Sequence, residues 1–155
     1  MHPLFIYYKV MNILKEDIKS LLPNGVFLID IKEDPRRRML NCIIDSENPV
    51  DLNLTTSISK DIYNSGVLDK SYPNGMTLSV SSIGIDAPLK EAYQFKKNIN
   101  KSISLKIVKN GKPFSMEAKI IDVKDDNVEV KSKGSDKELI PIVNIDYAKL
   151  IIKFN

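Results

Sequence analysis

Val80-Ser-Ser-Ile-Gly-Ile-Asp-Ala-Pro-Leu89, running on through Lys90-Glu-Ala-Tyr-Gln-Phe-Lys-Lys97, decides how the chain divides. Val80 closes an alternating strand pattern, Gly84 marks a turn, and Asp86 stands where a side chain caps a helix over 89 to 95. The charge balance changes sign across it. Through Pro88 there are nine Lys+Arg against eleven Asp+Glu, and from Leu89 onward fourteen against nine. Val80, Ser81, Ser82, Gly84, Asp86, Pro88 and Leu89 therefore read as a joint between two small domains, 11 to 88 and 89 to 155. Any attraction to nucleic acid is expected mainly in the second.

The totals narrow the chemistry. A chain of 155 residues makes one ordinary domain or two small ones. An apolar fraction of 43% and a charged fraction of 28% are those of a globular protein. One cysteine, Cys42, excludes an internal disulfide and fits a reducing compartment. One histidine, His2, removes the usual nucleophile–histidine pairs and nearly all histidine metal sites. No catalytic, metal or cofactor residues are expected. No apolar run reaches the ~20 residues of a membrane helix, and a cytoplasmic protein is expected. Residues 1 to 10 fit nothing downstream and precede a second methionine. They read as an extension from an upstream start codon, with Met11 as the natural start; the alternative is an extra strand or an ordered arm.

In the first domain, Ile13, Leu14, Ile18, Leu21 and Leu22 recur at helical spacing. Phe27, Ile29 and Ile31 alternate along one strand, and Leu40, Cys42 and Ile44 along the next. Asn53 can cap a second helix carrying Leu54, Ile58 and Ile62. Met76, Leu78 and Val80 face inward on a third strand. The order α-β-β-α-β, with both helices on one face, is a small KH-like α+β layer. Cys42 reads as a core thiol. Every arginine of the chain sits in one hairpin, at Arg36, Arg37 and Arg38. They suit an RNA-phosphate or acidic-partner contact; the alternative is a solvated turn balancing Glu33, Asp34 and the acidic loop at 45 to 51.

In the second domain period two takes over. Ile103, Leu105 and Ile107 alternate, Asn110-Gly111 signals a hairpin, and Phe114, Met116, Ala118 and Ile120 follow in phase. The phase slips at Ile121 and Val123, which predicts a bulge or bend. Short strands over 128 to 131, 138 to 142 and 148 to 154 complete the set, with a helical turn at 144 to 147. Leu150, Ile152 and Phe154 are expected inward. Five short strands with a bent second one predict an SH3-like β-barrel behind a short leading helix. Lys109 and Lys112 flank the first hairpin and are candidate partner or RNA contacts, or members of an ordinary turn. The tyrosines are scattered, with no base to activate them.

The joint residues match the spacing of the bacterial ribosome maturation factor RimP family. Met39 to Asp45 resembles that family's second strand, and Ile142 to Leu150 its closing segment. The resemblance covers nearly all of residues 11 to 155. Two positions depart from it: the family usually has proline where Ile83 stands and arginine where Ala87 stands. An Asp–Arg pairing at the joint therefore does not carry over, whereas Asp86 as a helix cap does. The resemblance implies a cytoplasmic, non-enzymatic, monomeric factor for maturation of the small (30S) ribosomal subunit. It would contact a ribosomal protein near the decoding region, largely through the barrel, or rRNA, or both. A general RNA-binding protein using Arg36 to Arg38 and the barrel lysines is the competing reading.

Overall fold

A computed structural model of the chain describes residues 2–153. The chain divides into two compact units, Met1–Ile83 and Gly84–Asn155.

The first unit opens with α1 (Pro3–Leu21), which starts on a proline, with the His2 ring accepting a hydrogen bond from the Leu4 amide. Met11, Leu14 and Ile18 are its buried residues, three and four apart. Residues 3 to 10 continue this helix and are exposed. Strands β1 (Val26–Asp34) and β2 (Met39–Ser46) form an antiparallel hairpin, and β3 (Thr77–Ser82) adds parallel to β2. The sheet order β1-β2-β3 needs a crossover from β2 to β3. Two helices supply it: α2 (Leu52–Asn64) and α3 (Val67–Ser71). The core gathers Leu14, Ile18, Leu40, Cys42, Ile44, Ile58 and Ile62, with Leu78 from β3.

Three expectations are corrected here. The first strand does not keep one phase. A bulge between Leu28 and Asp30 leaves Ile29 without a partner on β2, so Val26 and Leu28 pack inward ahead of it and Ile31 after it. Phe27 and Ile29 are exposed instead. The second helix is capped by Asp51, whose carboxylate accepts from the Leu54 amide at 2.8 Å; Asn53 lies inside the helix. The chain also does not run straight from Gly66 to β3. Gly66, at φ +76, lets it turn at once into α3, which buries Leu68.

The second unit begins with a short helix, α4 (Ala92–Lys96), which buries Phe95. It continues through β4 (Ser102–Lys109), β5 (Lys112–Lys124), β6 (Asn127–Lys131), β7 (Lys137–Pro141), a 3-10 turn (Ile142–Asn144) and β8 (Ile145–Leu150). The β4–β5 loop is Asn110-Gly111, both at positive φ (52 and 72), which gives the tight turn that matches strand twist. The register breaks between Ile120 and Asp122, so the long strand β5 turns from its ladder with β4 to its ladder with β6. Ile103, Leu105, Ile107, Ala118, Ile120, Val128 and Val130 fill the core around Phe95.

The fold is α+β with two sheets, as expected, but the second sheet is not a closed barrel. Its order is β7-β6-β5-β4-β8, and among the described residues no ladder joins β7 to β8. Both edges have a reason to stay open. The Ala148 carbonyl on β8 already accepts from the Leu89 amide at 2.8 Å. Strand β7 is five residues long and ends in Pro141, which has no N–H to give. The 3-10 turn and β8 both begin earlier than the sequence suggested, and Ala148 is the fully buried residue of β8, while Ile152, beyond the strand, is 38% exposed. Phe154 lies outside the described residues.

The cap assignment is directly testable. Asp51→Ala should cost about 1 kcal/mol in urea unfolding, and Asn53→Ala should stay within about 0.5 kcal/mol of wild type. Equal effects would return the cap to Asn53.

Candidate functional site

The segment 80 to 89 is divided between the units. Val80 packs on the first core, the Ser81 hydroxyl donates to Asn41 at 3.1 Å, and Ser82 pairs with Ile44 at the end of β3. The Ile83 amide still donates to the Ile44 carbonyl at 2.9 Å. From Gly84 the chain belongs to the second unit, where the Ala87 amide closes a turn onto the Gly84 carbonyl at 3.0 Å. A Cβ on Gly84 would meet only the Asp86 amide, at 4.0 Å, so neither crowding nor positive φ demands glycine there. Asp86 does not cap the helix. Its carboxylate pairs with Lys149 on β8 at 3.3 Å, and Glu91 is the N-cap of α4. The Gln94 side-chain oxygen accepts from the amides of Lys90 and Glu91 at 2.6 and 2.9 Å, closing that helix start from within. Leu89 is 8% exposed and part of the second core, and Pro88 before it is half-buried.

The three arginines share a turn but not a role. The Asp34 carboxylate accepts from the amides of Arg36 and Arg37, each at 3.1 Å, and builds the turn. Arg38 takes φ +52 there. Its guanidinium donates to the carbonyls of Asn74 and Gly75, and its own carbonyl accepts from the Thr77 amide at 2.8 Å. Arg38 thus fastens the start of β3 to the hairpin. Arg37 lies 3.7 Å from Asp34 with 79% of its side chain exposed, and Arg36 is exposed beside it. In the other unit, the Lys109 ammonium is 3.2 Å from Glu138 and 5.8 Å from the Phe114 ring centroid, while Lys112 is exposed at the hairpin tip.

One cluster escaped the sequence reading because its members lie far apart in the chain. Tyr7 and Tyr72 both donate to the same Glu33 oxygen at 3.3 Å. Burial first, and then the Glu33 charge, push both phenols above their ordinary pKa. They are held protonated as donors, the opposite of an activated nucleophile. Burial likewise pushes the Cys42 thiol up to about 11. No group of three or more His, Cys, Asp or Glu among the described residues could hold a metal ion. No described helix is long and apolar enough to cross a membrane.

The described residues form two small α+β units, with the Cys42 thiol buried and cations displayed on turns. The sequence comparison identifies the family. No protein-family model matches the chain. A curated relative does: the ribosome maturation factor RimP of Flavobacterium psychrophilum is 31% identical over 123 residues, 76% of this chain and 75% of the relative. The chain belongs to the RimP family of ribosome maturation factors.

Two outcomes test these assignments. Arg38→Ala should lower stability by about 1 kcal/mol, whereas Arg36→Ala should stay within about 0.5 kcal/mol of wild type; equal losses in a urea titration would refute the clasp. Cys42 should resist a thiol reagent at pH 8 in native buffer and react on unfolding. Because its folded pKa is raised from 9.0 to about 11, the folded state holds the proton longer. Its contribution is therefore complete below pH 9 and is lost as pH rises toward 11. A Cys42→Ala comparison isolates that loss from the tyrosines.

Proposed function

We propose that this chain acts in the cytoplasm, as a monomer and by binding alone, in maturation of the small (30S) ribosomal subunit. The observation that carries the reading is its identity to a ribosome maturation factor over three-quarters of both chains. The chemistry is consistent with it, since the cysteine and the tyrosine pair are held in their protonated, unreactive forms. On this reading the first unit is KH-like and the second an SH3-like barrel left open at one seam. The β7-β6-β5-β4-β8 order and the bend at Ile120–Asp122 support the latter. Segment 80 to 89 serves as the joint, and the barrel meets a ribosomal protein near the decoding region, with rRNA alongside.

General RNA binding is the second reading. Arg36, Arg37 and Lys112 favour it, because they stand exposed on turns. Arg38 is engaged with its own chain, which leaves that turn two arginines for a phosphate.

Sedimentation of cell extract through a sucrose gradient at low magnesium and moderate salt separates the two. The full chain should migrate with free small subunits and be absent from complete ribosomes. A signal only at the top of the gradient, with affinity for unrelated RNA falling steeply with salt, would replace the first reading with the second.

A further inference from the structure

A cleft of about 430 Å³ opens in the second unit where the β4–β5 hairpin faces β6 and β7. Phe114 forms an apolar wall and is 48% exposed. Three carboxylates line the cleft, Glu117, Asp136 and Glu138, against two ammonium groups, Lys109 and Lys133. It is therefore acidic within the half of the chain whose overall balance is basic. Ser132 also lines the cleft, and its hydroxyl is buried and has no hydrogen-bond partner among the described residues.

Lys109 already occupies the place a ligand cation would take. Its ammonium lies 3.2 Å from Glu138 and 5.8 Å from the Phe114 centroid, so it makes one ionic and one cation–π contact. With 54% of the lysine side chain and 40% of the glutamate side chain exposed, the pair is held weakly and can exchange. An arginine would fit both partners better. Its fork matches a carboxylate and its plane stacks on a ring, which an ammonium does neither of. A polyanion entering here would face three carboxylates.

We propose that this cleft receives an arginine side chain of a basic protein partner, with Lys109 as its internal stand-in in the free protein. The proposal rests on the preceding reading only in supposing that the partner belongs to the ribosomal subunit.

The full chain would be titrated with a short peptide alternating glycine and arginine, and with its citrulline counterpart, while amide NMR signals are followed. The arginine peptide should shift Phe114, Ser132 and Glu138, and the uncharged one should not. Glu138→Gln should weaken binding about fivefold and Phe114→Ala about threefold. Lys109→Ala should tighten it about twofold by removing the competitor, whereas Lys124→Ala, outside the cleft, should change nothing. Binding by Glu138→Gln equal to wild type would overturn the proposal. So would shifts confined to other residues, or an RNA oligonucleotide shifting the cleft signals in the peptide's place. The gradient experiment is scored separately: if the wild type fails to migrate with small subunits, the ribosomal reading falls and the peptide titration still decides the cleft.

Discussion

Leu89 is the residue on which the second unit depends. Its amide donates to the Ala148 carbonyl at 2.8 Å, and its side chain is part of the same core as Phe95. One residue thus supplies a hydrogen bond to the edge of β8 and an apolar contact to the interior. The chain entering the unit thereby covers an edge that would otherwise stand open to pairing with another strand. The same bond helps explain why the sheet stops at β8 and does not close on β7. Asp86 and Lys149 add an ion pair beside it, but 77% of the aspartate side chain is exposed, so its share of the stability is small. The segment is held by burial and backbone bonding, not by charge.

The first unit is organised by its central strand. β2 is paired on both sides, to β1 antiparallel and to β3 parallel, and Leu40, Cys42 and Ile44 put one complete face into the core. A parallel neighbour cannot be reached by a tight turn, so α2 and α3 are required by the sheet. Tyr63 at the end of α2 accepts from the Leu78 amide at 2.9 Å, and Arg38 holds the carbonyls just ahead of β3. Two side chains from distant parts of the sequence thus fix the position of a strand that has one ladder among the described residues.

What the sequence reveals follows the range of the interaction. The β4–β5 hairpin was legible because Asn110-Gly111 carries its own turn chemistry, and the bend in β5 because the apolar phase visibly slips at Ile121. The bulge in β1 was not legible, because Phe27, Ile29 and Ile31 alternate perfectly and only pairing with β2 pushes Ile29 out of register. Asp86 could not be excluded as a cap from local spacing, since its actual partner Lys149 lies more than sixty residues on. Arg38, Glu33 with its two tyrosines, and the Phe114–Glu138 cleft share this property. Each is made by residues that only tertiary folding brings together, so composition and periodicity carry no trace of them.

The distribution of charge constrains how such a protein can work. A basic half attracts RNA at a distance, yet long-range attraction is screened within about a Debye length, roughly 8 Å at physiological salt. Exposed lysines on turns therefore speed an encounter and do little to select its geometry. Selection needs groups that are partly desolvated and fixed in direction. In the second unit the cleft at Phe114 offers such groups only in part: a half-exposed ring, the Glu138 carboxylate beside Lys109, and the buried Ser132 hydroxyl. On the function proposed above, its acidic sign within a basic unit would separate two tasks spatially: surface lysines would draw the protein to an RNA-rich particle, and the cleft would take a cationic side chain of a protein bound there. A uniformly basic surface would perform only the first task.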